Sequence, residues 1–398
     1  MVPRKITLGT LNISDLGKQY VNEALNNNRL SRGPFTEKFE QDFAKMHGCE
    51  HGIFLNSGTS ALQVALAALK EVYSYQDGDE VIVPATTFIA TSNIVLQNNL
   101  KPVFVDVDVH TFNIDPNKIE AAITPRTRCI IPVHLFGLPA YMHTVVALAQ
   151  KHNLQIIEDS CETMFAGTQY QPVGSFGNLA CFPTYVAHLI VGGVGGLITT
   201  RDPKLDSICR SLMAHGRDSI YTNIDQDDSD DAVLRKQMIE RRYSFERVGY
   251  SYRATELEAA IALSELERWE ENIGARYKNA MLLTSLLRDL PQLQLPYIPN
   301  GYTHSFMMYP MVVDDNRDKL LMYLEERGIE TRYLFPLLSQ PIYRKLFPGL
   351  EDKFPVAKDL AENGFFIGMH QGLTKEDIEY VSEVIHDYFK IDKSEEQA

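Results

Sequence analysis

Short apolar segments alternate with helical patterns through the first half of this chain, and this alternation constrains the fold more than any other feature. The predicted strands that are apolar along nearly their whole length are residues 52–55, 81–84, 103–107, 129–133 and 155–159. Strands without a polar face belong in a sheet that helices cover on both sides, and such sheets are mostly parallel. Residues 196–200 predict a late strand for which an antiparallel direction is an option.

The second half of the chain has a different organisation. A long helical pattern over residues 256–287 precedes a mixture of one strand, residues 307–313, and two helices, residues 318–327 and 375–389. A chain of 398 residues exceeds the size of one small core. We therefore predict a large α/β domain over residues 1–255, which includes the N-terminal segment, and a linking helix with a small α+β domain over residues 256–398.

An acidic segment of low apolar content, residues 222–236, interrupts the first half. One interpretation is a solvated loop, because a run of like charges without apolar residues has nothing to bury. The other interpretation is a lid that covers a site. The sequence does not decide between the two.

Composition narrows the possible partners and compartments. The net charge of -14 disfavours nucleic acid and anionic membranes as partners, although a local site can still bind a small anion. The five cysteines are scattered without a C-x-x-C pair, so we expect no disulfide framework, no metal site and a reducing compartment. The first residues contain no long apolar run and no later segment is apolar enough to span a bilayer, which predicts a cytoplasmic protein.

A glycine and two hydroxyl residues occupy the junction between the first predicted strand and its helix. Gly58 allows close approach of a ligand to the backbone, and Thr59 lies at the helix N-terminus, where free N–H groups favour a phosphate. The alternative is that Ser57 or Thr59 only caps the helix. The motif alone leaves both interpretations open.

Two further residues follow predicted strands at the edge where ligands bind in such sheets. Asp159 ends the fifth strand, and a carboxylate there can keep a pyridine nitrogen protonated, as pyridoxal phosphate requires. Phe88 follows the second strand and could stack on a flat ring. The alternatives are an acidic residue that caps a loop and a phenylalanine of the core.

Several segments together resemble, in order and spacing, the sugar aminotransferase family of fold-type-I pyridoxal-phosphate enzymes. The matching segments are residues 31–40, 56–62, 83–91, 132–137, 158–159, 174–177, 195–196, 249–253 and 328–332. The resemblance covers nearly the whole chain. It implies a large, mostly parallel mixed-sheet domain with a smaller C-terminal domain, pyridoxal or pyridoxamine phosphate as cofactor, a nucleotide-linked keto sugar as substrate, and a homodimer with the site between subunits.

The resemblance also implies a role for each matching residue. Gly58 and Thr59 would hold the cofactor phosphate, Phe88 would stack on the ring, and Asp159 would pair with the ring nitrogen. Glu162 stands where a glutamine usually contacts the ring hydroxyl oxygen. Ser251 stands where an asparagine of the partner subunit usually reaches the phosphate.

The position at which family members carry the lysine that binds the cofactor covalently is His188 here, and no lysine occurs between Lys151 and Lys204. His188 together with Glu162 resembles a lysine-free branch of sugar 3-dehydratases, which includes the GDP-4-keto-6-deoxymannose 3-dehydratases. Imidazole cannot tether the cofactor but suits proton transfer, with an unperturbed pKa of about 6.5. The branch implies a noncovalent pyridoxamine phosphate, removal of the 3-hydroxyl of a 4-keto-6-deoxy sugar with His188 as base, and glutamate or a similar amino donor.

The chain departs from the family in its phosphate-binding residues. Pro183 replaces a serine and has neither a hydroxyl nor an N–H, although the neighbouring Thr184 could substitute. Ser251 is shorter than the asparagine that it replaces. These changes keep open a catalytically silent protein that binds cofactor or nucleotide sugar, and other pyridoxamine chemistry on a similar sugar. The sequence does not specify the nucleotide, the sugar stereochemistry or the amino donor.

Overall fold

The structure, a computed structural model, describes residues 4–218, 232–241, 243–314 and 316–396. Its strands are β1 (His51–Leu55), β2 (Glu80–Pro84), β3 (Lys101–Val105), β4 (Thr127–Ile130), β5 (Gln155–Asp159), β6 (Gly167–Thr168), β7 (Gln171–Pro172), β8 (Leu179–Pro183), β9 (Gly196–Thr200), β10 (Leu293–Gln294), β11 (Met308–Val313), β12 (Thr331–Tyr333) and β13 (Gly364–Gly368). Its α-helices are α1 (Asp15–Asn26), α2 (Pro34–Met46), α3 (Gly58–Val72), α4 (Ile89–Gln97), α5 (Pro116–Ile119), α6 (Met142–His152), α7 (Pro203–Met213), α8 (Ala232–Arg241), α9 (Glu256–Leu266), α10 (Trp269–Leu287), α11 (Arg317–Glu325), α12 (Pro341–Leu346), α13 (Pro355–Asn363) and α14 (Lys375–Glu396).

Seven strands form the large sheet in the order β1-β9-β8-β5-β4-β2-β3. Strand β9 pairs antiparallel with both of its neighbours, and the other pairs in the sheet are parallel. Strands β2 and β8 are buried at every residue, because helices cover the sheet on both faces. The predicted α/β architecture with an antiparallel late strand is therefore confirmed. The parallel strands also bring Leu55, Asp159 and Pro183 to one edge of the sheet.

A second sheet has the order β10-β11-β13-β12 and is antiparallel throughout. Its buried residues form a separate apolar cluster with α10, α11 and α14. Helix α9 instead buries Ala259 and Leu263 in the core of the large sheet, whereas α10 buries Ala280 and Leu283 in the core of the small one. The small α+β unit agrees with the prediction, and the division at residue 255 stays a prediction.

Three details differ from the expectations. Strand β8 was not anticipated, because five apolar residues without a preceding helix carry no alternation signal. The single helix expected over residues 256–287 is two helices, α9 and α10, with a break at Glu267 and Arg268. Of the acidic segment, residues 222–231 lie outside the described residues, and a loop over residues 232–236 is wrong because they begin α8.

The N-terminal segment, residues 4–10, runs from the small sheet towards the large one. Ile6 forms a parallel bridge with Ile329, and its backbone exchanges hydrogen bonds with Gly328 and Glu330. The segment therefore joins the two sheets on the side where the parallel strands end. In the described part of the chain, no helix combines the length and apolar character needed to cross a membrane.

Candidate active site

A cavity of about 420 Å³ lies at the carboxyl edge of the large sheet and reaches the small sheet. Residues of β5, β8 and the start of α3 form one wall, and residues of the small sheet form another. The residues predicted from the sequence that line this cavity are Gly58, Thr59, Phe88, Asp159, Glu162 and His188. The fold thus brings together six side chains or backbone positions that are distant in the sequence.

Asp159 ends β5 at the floor of the cavity and is buried. Its Oδ2 atom accepts a hydrogen bond from the Thr91 hydroxyl at 2.7 Å, and its Oδ1 atom accepts one from the Cys161 backbone N–H at 3.1 Å. Burial raises the pKa of Asp159, and the Thr91 hydroxyl opposes that shift. A buried carboxylate with two fixed donors is well placed to pair with a cation brought by a ligand, which would relieve the cost of burial.

Glu162 is also buried, three residues further along the chain. Its Oε2 atom accepts a hydrogen bond from the Phe136 backbone N–H at 2.9 Å. Burial raises the pKa of Glu162 to about 8, and the nearby charge of Asp159 acts in the same direction. Glu162 is therefore mostly protonated at neutral pH in the ligand-free protein and can donate a hydrogen bond into the cavity.

His188 lies in the wall of the cavity between the ends of β8 and β9. Its Nδ1 atom is 3.2 Å from the Tyr185 carbonyl oxygen, so Nδ1–H is the donor and Nε2 keeps its lone pair. Burial lowers the pKa of His188 to about 4, and the imidazole is neutral at physiological pH. A neutral imidazole with a free Nε2 is the form that accepts a proton.

Helix α3 points its N-terminus at the cavity. The Ser57 hydroxyl accepts from the Ser60 backbone N–H at 3.1 Å, which caps the helix and leaves the N–H groups of Gly58 and Thr59 for a ligand. A Cβ atom on Gly58 would lie 3.2 Å from the Cβ atom of Pro183, so glycine keeps this corner open. Ser57 is thus the cap, and Thr59 is exposed at the helix start, where a phosphate would bind.

Two predicted residues do not reach the cavity of the single chain. The Thr184 side chain is buried, and its hydroxyl donates to the Val194 carbonyl at 3.2 Å. Ser251 is exposed, and its Oγ atom accepts from Arg253 Nη2 at 3.2 Å. Pro183 does line the cavity and supplies no donor there.

Phe88 is 57% exposed, which rules out the alternative of a core phenylalanine. It borders the cavity and meets the ring of Phe335 edge to face, with centroids 6.3 Å apart. Sequence reasoning assigned no role to Phe335, to Thr91 or to Arg332, which also line the cavity. Thr91 and Arg332 belong to segments that match the family, 83–91 and 328–332. Their position within these segments is the only sequence signal that could have identified them as residues of the site.

The arrangement fits a pyridoxal-phosphate cofactor at both ends. The buried, donor-rich Asp159 suits a protonated pyridine nitrogen, and the α3 N-terminus beside Gly58 suits a phosphate. His188 supplies no amine for a covalent link, and none of the cavity-lining residues in the described part of the chain is a lysine.

Comparison with known proteins agrees with this geometry. A family model described as the DegT/DnrJ/EryC1/StrS aminotransferase family matches residues 12–386. The chain is 36% identical over 371 residues to GDP-perosamine synthase of Caulobacter vibrioides, which covers 92% of this chain and 93% of that protein. This relative is named for an amino sugar.

Two solved structures are similar over almost their whole length. One is Escherichia coli GDP-4-keto-6-deoxy-D-mannose-3-dehydratase with bound hydrated pyridoxal phosphate, with a TM-score of 0.86, 27% identity, and coverage of 96% of this chain and 100% of that chain. The other is a GDP-4-keto-6-deoxymannose-3-dehydratase with a trapped pyridoxal phosphate–glutamate geminal diamine, with a TM-score of 0.84, 26% identity and the same coverage. The similar proteins therefore include two kinds of reaction on one fold.

Proposed function

The chain belongs to the DegT/DnrJ/EryC1/StrS aminotransferase family, and from that premise we propose that it is a nucleotide-sugar 3-dehydratase that uses pyridoxamine phosphate. Membership makes the chain an enzyme of pyridoxal-phosphate-dependent sugar chemistry on the fold-type-I scaffold. The observation that carries the finer proposal is His188, a proton acceptor at the cavity where the family places an amine. The substrate in this proposal is a nucleotide-linked 4-keto-6-deoxyhexose.

The residues that we propose to hold the cofactor line the cavity. The N–H groups of Gly58 and Thr59 would bind the phosphate, Phe88 would cover a face of the ring, and Asp159 would keep the ring nitrogen protonated. When bound in its amine form, the cofactor supplies an amino group for the sugar ketone and a ring that takes up the electrons left by proton removal. The protonated Glu162 would donate a hydrogen bond to the ring hydroxyl oxygen.

His188 would move the proton on which the reaction depends. Its neutral Nε2 atom would accept a proton from the methylene carbon that joins the amino group to the ring, while the Nδ1 bond to Tyr185 holds the imidazole in orientation. The imidazolium so formed would then return that proton to the departing 3-hydroxyl, which leaves as water. Because no lysine lines the cavity among the described residues, water would release the product, and an amino donor would restore the cofactor.

The proposed enzyme also requires an amino donor, a second copy of the chain and a cellular location. Glutamate is the proposed amino donor, supported by the glutamate adduct in one of the similar dehydratases. The active form would be a homodimer in which Ser251 of a second copy approaches the phosphate, since Ser251 is exposed and outside the cavity of its own chain. The proposed location is the cytoplasm.

The test is the variant His188→Asn. We expect loss of 3-deoxygenation of GDP-4-keto-6-deoxymannose in the presence of glutamate, with pyridoxal-phosphate binding, followed by absorbance, unchanged. His386→Asn is the matched control, because His386 pairs with Asp289 on the surface and lies outside the cavity. Retained turnover in the His188 variant would eliminate this residue as the base and with it the dehydratase proposal.

A catalytically silent binding protein is the second candidate, and the altered phosphate site favours it. Pro183 supplies no donor, and the buried Thr184 uses its hydroxyl in a hydrogen bond to the Val194 carbonyl. The two candidates differ in the spectrum of the protein with added pyridoxal phosphate. An aldehyde band that glutamate converts to the amine form, with no adduct trapped by borohydride, supports the dehydratase. Absence of bound cofactor supports the silent protein, and a borohydride-trapped adduct on the chain would favour transamination.

A further inference from the structure

Tyr185 brings an aromatic ring and a hydroxyl to the cavity beside His188. It lies two residues after the end of β8, lines the cavity and is 51% exposed. Its ring meets the imidazole of His188 edge to face, with centroids 6.1 Å apart and an interplanar angle of 67°. A phenol group therefore lies on the same wall of the cavity as the proposed base.

The turn that carries both side chains is held by backbone hydrogen bonds. The Tyr185 carbonyl accepts the His188 backbone N–H at 2.9 Å, and the same oxygen is 3.2 Å from His188 Nδ1. Tyr185 also forms a parallel bridge with Gly193, and the Thr184 backbone N–H donates to the Gly195 carbonyl at 2.9 Å. The backbone that positions His188 therefore positions Tyr185 as well.

Most hydroxyl groups of the cavity wall already have a hydrogen-bond partner within the chain. The cavity-lining residues whose hydroxyls are paired in this way are Ser57, Thr87 and Thr91. Among the residues that the structure describes, the hydroxyls of Thr59 and Tyr185 line the cavity without such a partner. Thr59 lies at the start of α3, where the phosphate is proposed to bind. The free hydroxyl beside the base is therefore that of Tyr185.

We propose that the Tyr185 hydroxyl donates a hydrogen bond to the 3-hydroxyl oxygen of the nucleotide-linked sugar and so favours sugars that carry this group. The inference rests on the proposed function, which makes that oxygen the leaving group. The electrons released by proton removal at the methylene carbon break the C3–O bond, and the imidazolium of His188 supplies the proton that completes water. The phenol keeps its own proton and stabilises the charge that develops on the oxygen, which has a lone pair for each of the two donors.

The first measurement is binding without turnover, in the parent and in Tyr185→Phe. Both proteins are loaded with pyridoxal phosphate, whose aldehyde form has no amino group for the sugar ketone. The best-bound of the GDP-, UDP- and dTDP-linked 4-keto-6-deoxyhexoses is titrated by calorimetry, and then the same sugar without its 3-hydroxyl. We expect the parent to bind the complete sugar about five- to ten-fold more tightly, the effect of one neutral hydrogen bond, and Tyr185→Phe to bind the two sugars within about two-fold.

The second measurement compares the two half-reactions. In Tyr185→Phe we expect glutamate to convert the aldehyde band at the parent's rate, because no hydroxyl leaves in that step. Loss of the 3-hydroxyl in a single turnover of the amine form should slow by at least about ten-fold, because a donor to the leaving oxygen is missing. Tyr297→Phe is the matched control, since Tyr297 is 50% exposed, meets the ring of His110 and lies outside this cavity.

The outcomes separate this inference from the proposed function. If Tyr185→Phe equals the parent in both measurements while the parent removes the 3-hydroxyl, the role of Tyr185 is wrong and the proposed function stands. An equal loss in both half-reactions also contradicts the role, because Tyr185 would then act only through His188. If the parent binds the sugars but removes no hydroxyl, the proposed function fails and the ratio of the two affinities still decides the role of Tyr185. A parent that binds none of the sugars overturns both.

Discussion

The two ends of the cavity differ in how completely the single chain builds them. At the ring end, defined by Thr91, Asp159 and Glu162, the carboxylates are buried and accept hydrogen bonds from fixed donors. At the phosphate end, defined by Gly58, Thr59 and Pro183, two backbone N–H groups remain open and the proline offers none. The first end is organised before any ligand arrives, whereas the second is left open in the single chain.

This difference indicates which residues of the site can be replaced without destabilising the protein. A buried carboxylate requires its hydrogen-bond partners, so replacing one residue at the ring end leaves another unsatisfied. The phosphate end borders solvent, where water satisfies unused groups and substitutions cost little stability. The departures from the family at Pro183 and Ser251 lie near or beyond this second end. Glu162 is the departure at the ring end, and His188 is the departure in the cavity wall.

The largest effect should come from Asp159→Asn at the ring end. The variant keeps the shape but removes the charge that would hold the ring nitrogen protonated, so we expect turnover of the keto sugar to fall by about 10³-fold or more. Cofactor binding should weaken as well, measured by absorbance titration. Asp77→Asn is the control, because Asp77 is an exposed partner of Lys70. Turnover within ten-fold of the parent would mean that the reaction does not depend on the carboxylate at the ring end.

Most of the large sheet could be predicted from the sequence because its strands are apolar on both faces and helices separate them. The prediction missed β8, whose five residues follow a glycine-rich turn and not a helix. It also joined α9 and α10, because the helical pattern continues through Glu267 and Arg268 although the chain turns from one core to the other there. Local periodicity does not report such a change of packing partner.

The site was predictable where a residue ends a strand or stands in a recognisable motif, as Asp159 and His188 do. Thr184 shows the limit. Neighbouring residues in an extended segment point to opposite sides, so if Pro183 faces the cavity, Thr184 faces the core. Arg332 shows another limit, since its proximity to the cavity depends on how the small sheet packs against the large one.

The second prediction concerns the pH dependence of stability at the ring end. The pKa of Glu162 is about 8 in the folded chain, against ~4.3 for an unfolded glutamate. Because the folded pKa is raised, the stability that Glu162 contributes is full below about pH 4 and is lost as the pH rises to about 8. Glutamine does not titrate. We therefore expect the free energy of unfolding of Glu162→Gln, relative to that of the parent, to increase by about 3 kcal/mol from pH 5 to pH 8.

Urea denaturation of both proteins at the two pH values, without cofactor, measures this gain. Glu379→Gln, at an exposed residue that pairs with Lys375, is the control and should show no such change. A difference between Glu162→Gln and the parent that does not vary with pH would show that Glu162 is solvated, and the contrast between the two ends would weaken.

The third prediction concerns Pro183 at the phosphate end. Pro183→Ser restores a hydroxyl and an N–H beside Gly58, and we expect pyridoxal phosphate to bind about five- to ten-fold more tightly, the effect of one new hydrogen bond of about 1 kcal/mol. Pro183→Ala restores the N–H alone and separates the two contributions. If Pro183→Ser binds no better than Pro183→Ala, the hydroxyl does not reach the phosphate.

The smallest effect should come from Ser251→Ala. Ser251 is exposed, and its Oγ atom already accepts a hydrogen bond from Arg253. Serine is also shorter than the asparagine usual in the family. The Ser251 hydroxyl should therefore contribute little to binding a phosphate in a second copy of the chain. We expect the dissociation constant of pyridoxal phosphate to change by no more than about two-fold, or below about 0.5 kcal/mol. Ser251→Asn should instead tighten binding, because the longer amide reaches further. A ten-fold loss of affinity for pyridoxal phosphate in Ser251→Ala would contradict the contrast between the ring end and the phosphate end. It would mean that the dimer completes the phosphate end through this hydroxyl, and that the openness of that end belongs only to the isolated chain.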